Sequence, residues 1–60
     1  MWKVPEFYSV NEASKLPANR VHHNNGACLP GQDIPQNERR LGTGGYRLCD
    51  DCIMANKQGL

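Results

Sequence analysis

Four side chains that bind soft metals stand as two close pairs in a chain of sixty residues: His23 with Cys28, four residues between them, and Cys49 with Cys52, two residues between them. No other feature of the sequence constrains the fold as tightly. Twenty residues separate Cys28 from Cys49, enough to bring two tight turns face to face around one ion. Zinc favours a tetrahedron of thiolates and imidazoles, and short spacing within a pair keeps both donors on one turn whose backbone amides point toward the sulfurs. Gly26 lies inside the first pair, where such a turn benefits from a permissive backbone. Cys52, at the start of an expected helix, gains thiolate stabilisation from the helix amino terminus. His22 offers the same donor with five residues before Cys28; the shorter turn favours His23, with His22 as the alternative or as a surface group beside the site.

A chain of this size needs such a link. About 60% of the unfolded surface is buried by a domain of sixty residues. The apolar share is 38%, against roughly 45–50% in ordinary globular domains. One thin-cored domain is therefore expected, with metal binding supplying folding free energy. The three cysteines cannot all pair internally, and free thiols persist in reducing compartments. No apolar run reaches the 18 or so residues of a membrane span, and the opening Met1-Trp2-Lys3-Val4-Pro5-Glu6 has no apolar run of the signal-peptide kind. A cytoplasmic, monomeric protein without membrane contact is expected. Seven Lys and Arg against six Asp and Glu leave a net charge of +1, which excludes a broad nucleic-acid coat and leaves room for a local basic patch.

Composition divides the chain into an amino-terminal segment, residues 1–20, and a metal-binding mini-domain, residues 21–60. The first carries Trp2, Phe7 and Tyr8 and a capping-box pattern, Ser9 three residues before Glu12, ahead of Val10, Ala13 and Leu16. This predicts a helix of at most two turns, stopped by Pro17 and packed on or flanking the mini-domain. Val21 to Tyr46 holds five of the six glycines with Pro30 and Pro35, which forbids a long helix. Short strands around Ile34 and around Tyr46 to Leu48 are expected to form a hairpin through the Arg39–Gly45 segment. Cys49 to about Gln58 reads as a short helix, with Asp50 and Asp51 favoured in its first turn and Gly59 as its stop.

Across Val21 to Cys52, about half the chain, His23, Cys28, Cys49 and Cys52 with the helical segment Ile53 to Gln58 resemble a compact zinc finger of the treble-clef or zinc-ribbon type. The resemblance implies a small zinc-stabilised α+β fold: a knuckle with two ligands, a short β-hairpin, and a carboxy-terminal helix that begins with the second pair. The first pair departs from it, being His-x4-Cys where Cys-x2-Cys is usual. Such fingers serve nucleic-acid binding, protein interaction and structural roles, so the resemblance widens the functional field.

Four protein donors close the zinc shell, whereas catalytic zinc keeps a position open. One structural Zn2+ and no enzymatic activity are therefore expected. Arg39, Arg40 and Arg47 flank the Gly42-Thr43-Gly44-Gly45 loop, which lacks the pattern of a nucleotide-hydrolysing loop. With Lys57 on the last helix they form the candidate surface of a nucleic-acid-binding accessory or regulatory protein. The alternative is a protein-interaction adaptor, of a compactness that suits a bacterial or phage origin, using Trp2, Phe7 and Tyr8. Those aromatics also read as material for a thin core.

Overall fold

The computed structural model describes residues 2–60; residue 1 of the amino-terminal segment lies outside the described residues. Strand β1 (Lys3–Ser9) leads through two short 3-10 turns, Val10–Ser14 and Pro17–Asn19, into β2 (Val21–Asn25). A single helical turn, α1 (Leu29–Gln32), and a 3-10 turn at Gln36–Glu38 precede β3 (Arg39–Leu41), β4 (Arg47–Leu48) and the helix α2 (Asp50–Lys57). The result is a small α+β fold with one sheet in the order β3-β1-β2-β4 and a carboxy-terminal helix. Among the described residues no helix is long and apolar enough to cross a membrane.

The amino-terminal segment supplies an inner strand of the sheet. β1 pairs antiparallel with β3 (Phe7 opposite Leu41, Ser9 opposite Arg39) and antiparallel with β2 (Lys3 opposite Asn25, Phe7 opposite His23). The β1–β2 register shifts between Lys3 and Phe7, the stretch that contains Pro5. Proline has no N–H for the ladder, and irregular stretches are where strands accommodate it. Val4, Phe7 and Tyr8 are residues that fit a pleated surface, which explains an inner strand here.

The expected hairpin is not formed. Ile34 lies between α1 and the 3-10 turn, where Pro35 cannot donate to a ladder. The segments 39–41 and 47–48 are strands, but on opposite edges of the sheet, because β1 takes β3 while β4 pairs parallel with β2 (Val21 opposite Arg47, His22 opposite Leu48). The short helix expected after Ser9, of at most two turns, takes the 3-10 form over Val10–Ser14. Ser9 caps it by accepting from the Asn11 amide at 3.1 Å. Glu12 does not return to Ser9; its buried carboxylate accepts from Lys15 Nζ at 2.9 and 3.1 Å and from the Val21 amide at 3.0 Å. One side chain thus anchors the turn to the start of β2.

The interior is short of hydrocarbon. Among the described residues the buried apolar set is Phe7, Ala55 and the three cysteines, with half-buried Val21 and Leu48 packed against the thiols. Ser9, Glu12, His22, His23 and Asn25 are buried beside them, and among the described residues every buried side-chain polar atom has a hydrogen-bond partner. Asn25 ties the sheet to the carboxy-terminal end: its Nδ2 donates to Asn56 Oδ1 (3.0 Å) and to the Leu60 carbonyl (2.7 Å), and its Oδ1 accepts from the Ala27 amide (2.8 Å).

Candidate metal centre

Three elements converge on one point. Strand alternation sends neighbouring side chains of β2 to opposite faces, so His22 and His23 part company. His23 points toward α2. Cys28 follows the turn that closes β2, held by a bond from its amide to the Asn25 carbonyl at 3.2 Å. Cys49 is the residue before α2, and its amide donates to the His22 carbonyl at 2.9 Å, which fixes the helix start against β2. Cys52 then lies one turn into the helix, on the same side.

His23, Cys28, Cys49 and Cys52 are all buried, and one ligand atom of each lies within 4.8 Å of every other. Zinc bond lengths of about 2.3 Å to sulfur and about 2.05 Å to nitrogen require tetrahedral edges of about 3.8 Å between sulfurs and about 3.6 Å from sulfur to nitrogen. The structure has 3.7 Å from Cys28 Sγ to Cys49 Sγ, 3.5 Å from Cys28 Sγ to His23 Nδ1, and 3.7 Å from Cys52 Sγ to His23 Nδ1. These separations leave a metal-sized space between the donors and far exceed the ~2.05 Å of a disulfide; all three thiols are free. The donor set fits one tetrahedral ion.

The surroundings complete the fit. The Asn24 amide donates to Cys52 Sγ at 3.4 Å, and a Gly31 backbone bond favours the charged form of Cys28. Both cysteines of the second pair sit at the positive end of α2. Burial pushes the Cys28 thiol up to about 12, with Cys52 and Cys49 adding to the effect against the Gly31 bond. A bound cation reverses that balance, since a coordinating thiol is deprotonated outright. Burial also lowers the His23 pKa below its ordinary 6.5, opposed by the charge of Glu12 and assisted by Lys15, His22 and Arg39. The imidazole is therefore kept neutral, the form that donates to a metal.

His22 belongs to the other face. Its Nδ1 lies 2.8 Å from the Tyr46 carbonyl and its Nε2 3.6 Å from Glu6 Oε2, so it links β2 to the segment before β4.

The four basic residues singled out in the sequence are not brought together. Arg39 and Arg40 are on one edge strand and Arg47 on the other, three strand spacings or about 14 Å apart across the sheet. Arg39 donates from Nε to the Ile34 carbonyl (3.1 Å) and from Nη2 to that of Gly31 (3.3 Å), with its guanidinium 4.8 Å from the centre of the Phe7 ring. Arg40 Nη1 donates to the carbonyls of Arg39 and Asn37. Arg47 reaches the Ala18 carbonyl and pairs with Asp50 at 3.2 Å. Lys57 is exposed in the last turn of α2. Of the aromatics, Phe7 is buried with its ring 5.3 Å from that of His23, Tyr8 packs edge-on against Tyr46, and Trp2 is exposed.

Glu12 and Asn25 are structural residues that the sequence reading did not assign. The only sequence signals at these positions are the capping-box spacing for Glu12 and, for Asn25, its place before Gly26, a pairing common in turns. Comparisons of this chain with protein-family models, with curated proteins and with solved structures gave no match.

Proposed function

We propose that this chain is a zinc-stabilised interaction module, in which His23, Cys28, Cys49 and Cys52 hold one structural ion and the surface of the fold, not the metal, meets the partner. The observation that carries the reading is the convergence of four buried donors, all within 4.8 Å of one another, in a molecule whose other buried apolar side chains, among the described residues, are Phe7 and Ala55. Three thiolates and an imidazole suit zinc among the common divalent metals. Four protein donors leave no position for water, which supports a non-catalytic metal. The second ligand pair at the start of α2 is the part of the treble-clef resemblance that this site retains, while β3 and β4, on opposite edges of the sheet, do not form the hairpin of that type. The module works as a single chain in the cytoplasm, where free thiols persist.

A protein partner is favoured over nucleic acid. The arginines are divided between opposite edges and spend donors on backbone carbonyls, whereas Leu41, Leu29 and Met54 are 83%, 68% and 54% exposed. Scattered single apolar residues are ordinary, but several on a chain this poor in hydrocarbon leave it with apolar surface to cover. Native mass spectrometry before and after chelation tests the metal: one zinc is expected on the wild type and on His22→Ala, and none on His23→Ala. A metal-free, folded wild type would overturn the reading. The partner class is tested by the salt dependence of binding, weak for an apolar protein contact and steep for phosphate backbone; tight, salt-sensitive capture of an oligonucleotide would reverse the choice.

A further inference from the structure

One face of the sheet carries a groove of about 430 Å3 that the metal site does not use. Its apolar surface comes from Val4, Pro5, Phe7 and Leu41, and its rim carries Gln32, Gln36 and Arg39. Cavities of some 300–1,000 Å3 with an apolar lining and a few polar groups are where proteins take ligands. The charge of this one has a single sign: among the described residues Arg39 is the one ionisable residue in its lining, and no carboxylate lines it. Glu6, between the lining residues Pro5 and Phe7 in sequence, lies instead beside His22. Asp33 and Glu38 open instead onto a separate depression near Glu12. Among the described residues Arg39 pairs with no carboxylate, and its Nη1 donates to no acceptor, while Nε and Nη2 are fixed on carbonyls. A cation held in place by two backbone bonds, facing an apolar trough, is complementary to a carboxylate set next to apolar side chains.

Building on the interaction-module reading, the geometry points to this groove as the docking site for an extended peptide segment of a partner protein that presents an Asp or Glu flanked by apolar residues. The carboxylate meets Arg39. The flanking apolar side chains cover Phe7, Val4 and the exposed Leu41. Gln36, which makes no side-chain hydrogen bond among the described residues, and the free carbonyl of Gln32, whose Nε2 donates to the Gly26 carbonyl at 2.7 Å, stand ready for the peptide's main chain. A segment of chain suits the site better than a small molecule, because Leu41 and Val4 at its margin stay 83% and 38% exposed and need a ligand that extends past the trough. The groove also depends on the metal. The Phe7 ring has the Arg39 guanidinium 4.8 Å from its centre and the His23 ring 5.3 Å from it, so the floor of the groove packs against a metal ligand.

The test is selection of a displayed library of random octapeptides on the zinc-loaded full chain, followed by measurement of Kd for the winning peptide and for the same peptide with its carboxylates replaced by amides. Enriched sequences are expected to carry an acid beside apolar residues, and the amide form to bind at least about tenfold more weakly. Arg39→Gln is expected to lose a similar factor. Because Arg39 also fixes backbone, the exposed Leu41→Glu is the second variant: it places a like charge at the rim and is expected to weaken the acidic peptide at least about tenfold, with zinc content and amide spectrum unchanged. Shifts in the amide spectrum on adding the peptide should centre on Phe7, Gly31 and Leu41. Enrichment of basic or uncharged peptides, or shifts centred on Leu29 and Met54, would overturn the groove while leaving an interaction module standing. Failure to enrich any peptide on a zinc-loaded folded chain, with salt-sensitive oligonucleotide binding, would overturn both.

Discussion

Removing the metal should unfold this protein outright, and the structure says why the margin is large. Domains carry roughly 0.05–0.15 kcal/mol of stability per residue, or about 3–9 kcal/mol for sixty residues. Structural zinc in finger-sized peptides supplies apparent free energies of about 10–16 kcal/mol at neutral pH. The second figure exceeds the first. Here the donors come from β2, from the turn after it and from both ends of the first turn of α2, so the ion joins three elements that otherwise meet through hydrogen bonds such as Asn25 to Asn56, with half-buried Val21 and Leu48 as the hydrocarbon packed on the thiols. Without it, little hydrocarbon is left to hold α2 on the sheet: Ala55 is the one buried apolar residue of the helix besides Cys52. Chelation of the zinc form is therefore expected to collapse the amide spectrum to the narrow dispersion of an unfolded chain and to abolish the far-ultraviolet signal of helix. One equivalent of zinc should restore both. A chelated chain that kept its spectrum and melted cooperatively would refute the reasoning, and the cysteines would then be core residues.

Further outcomes follow from single contacts. His22→Ala is expected to retain zinc in native mass spectrometry while losing about 1–2 kcal/mol in denaturant titration, from the bond to the Tyr46 carbonyl; loss of zinc from this variant would contradict the assignment of His23. Asn25→Ala removes three hydrogen bonds of a fully buried side chain and should cost about 2–4 kcal/mol, read by thermal unfolding of the zinc form, with zinc stoichiometry unchanged. Acidification should release the metal. Each bound cysteine is a thiolate, whereas the free thiols hold their protons below about pH 8.5, so apparent zinc affinity should fall by up to about a thousandfold per pH unit below neutrality. His23 has a lowered pKa in the fold, so the unfolded chain gains a proton there that the fold does not, and stability is lost further as pH falls below the ordinary 6.5. Zinc competition against a chromophoric chelator between pH 7.5 and 6 measures the slope; a flat profile would exclude thiolate ligation.

What was legible in the sequence is what depends on local spacing. The four donors at His23, Cys28, Cys49 and Cys52, and the helix after Cys49 with its acidic first turn, are matters of neighbouring residues and appear in the structure where the spacing puts them. Strand pairing depends on distant partners. The sequence around 39–48 carries a glycine-rich turn, and a hairpin there is the local solution; the strand that wins β3 is β1, about thirty residues before it, which takes an inner place and leaves β3 and β4 on separate edges. The Ser9-to-Glu12 spacing likewise has a local reading, the capping box, but the carboxylate gains more from the Val21 amide and Lys15 in a buried setting than from its own turn. The dispersal of Arg39, Arg40 and Arg47 follows from the same topology, since adjacency in sequence to one loop does not place residues on one edge.

Gly31 tests the contact between groove and metal most directly. It sits in α1 with an ordinary backbone, so alanine there carries no conformational penalty and would normally favour a helix by up to about 1 kcal/mol. A single turn realises little of that gain. Against it, the added Cβ would stand 3.2 Å from Phe7 Cζ and 3.4 Å from His23 Cγ, tighter than ordinary van der Waals contact on two rings that pack against each other. Overpacking of this kind costs roughly 1–3 kcal/mol. The excess is borne by the rings, and His23 cannot yield without leaving its place among the three sulfurs. Gly31→Ala is therefore expected to keep one zinc but bind it about fivefold or more weakly in chelator competition, the equivalent of a net cost near 1 kcal/mol. The amide signals of Phe7 and His23 should move with it. Unchanged zinc affinity together with shifts confined to Phe7 would mean that the ring moves alone, and that the floor of the groove is free of the metal ligand beneath it.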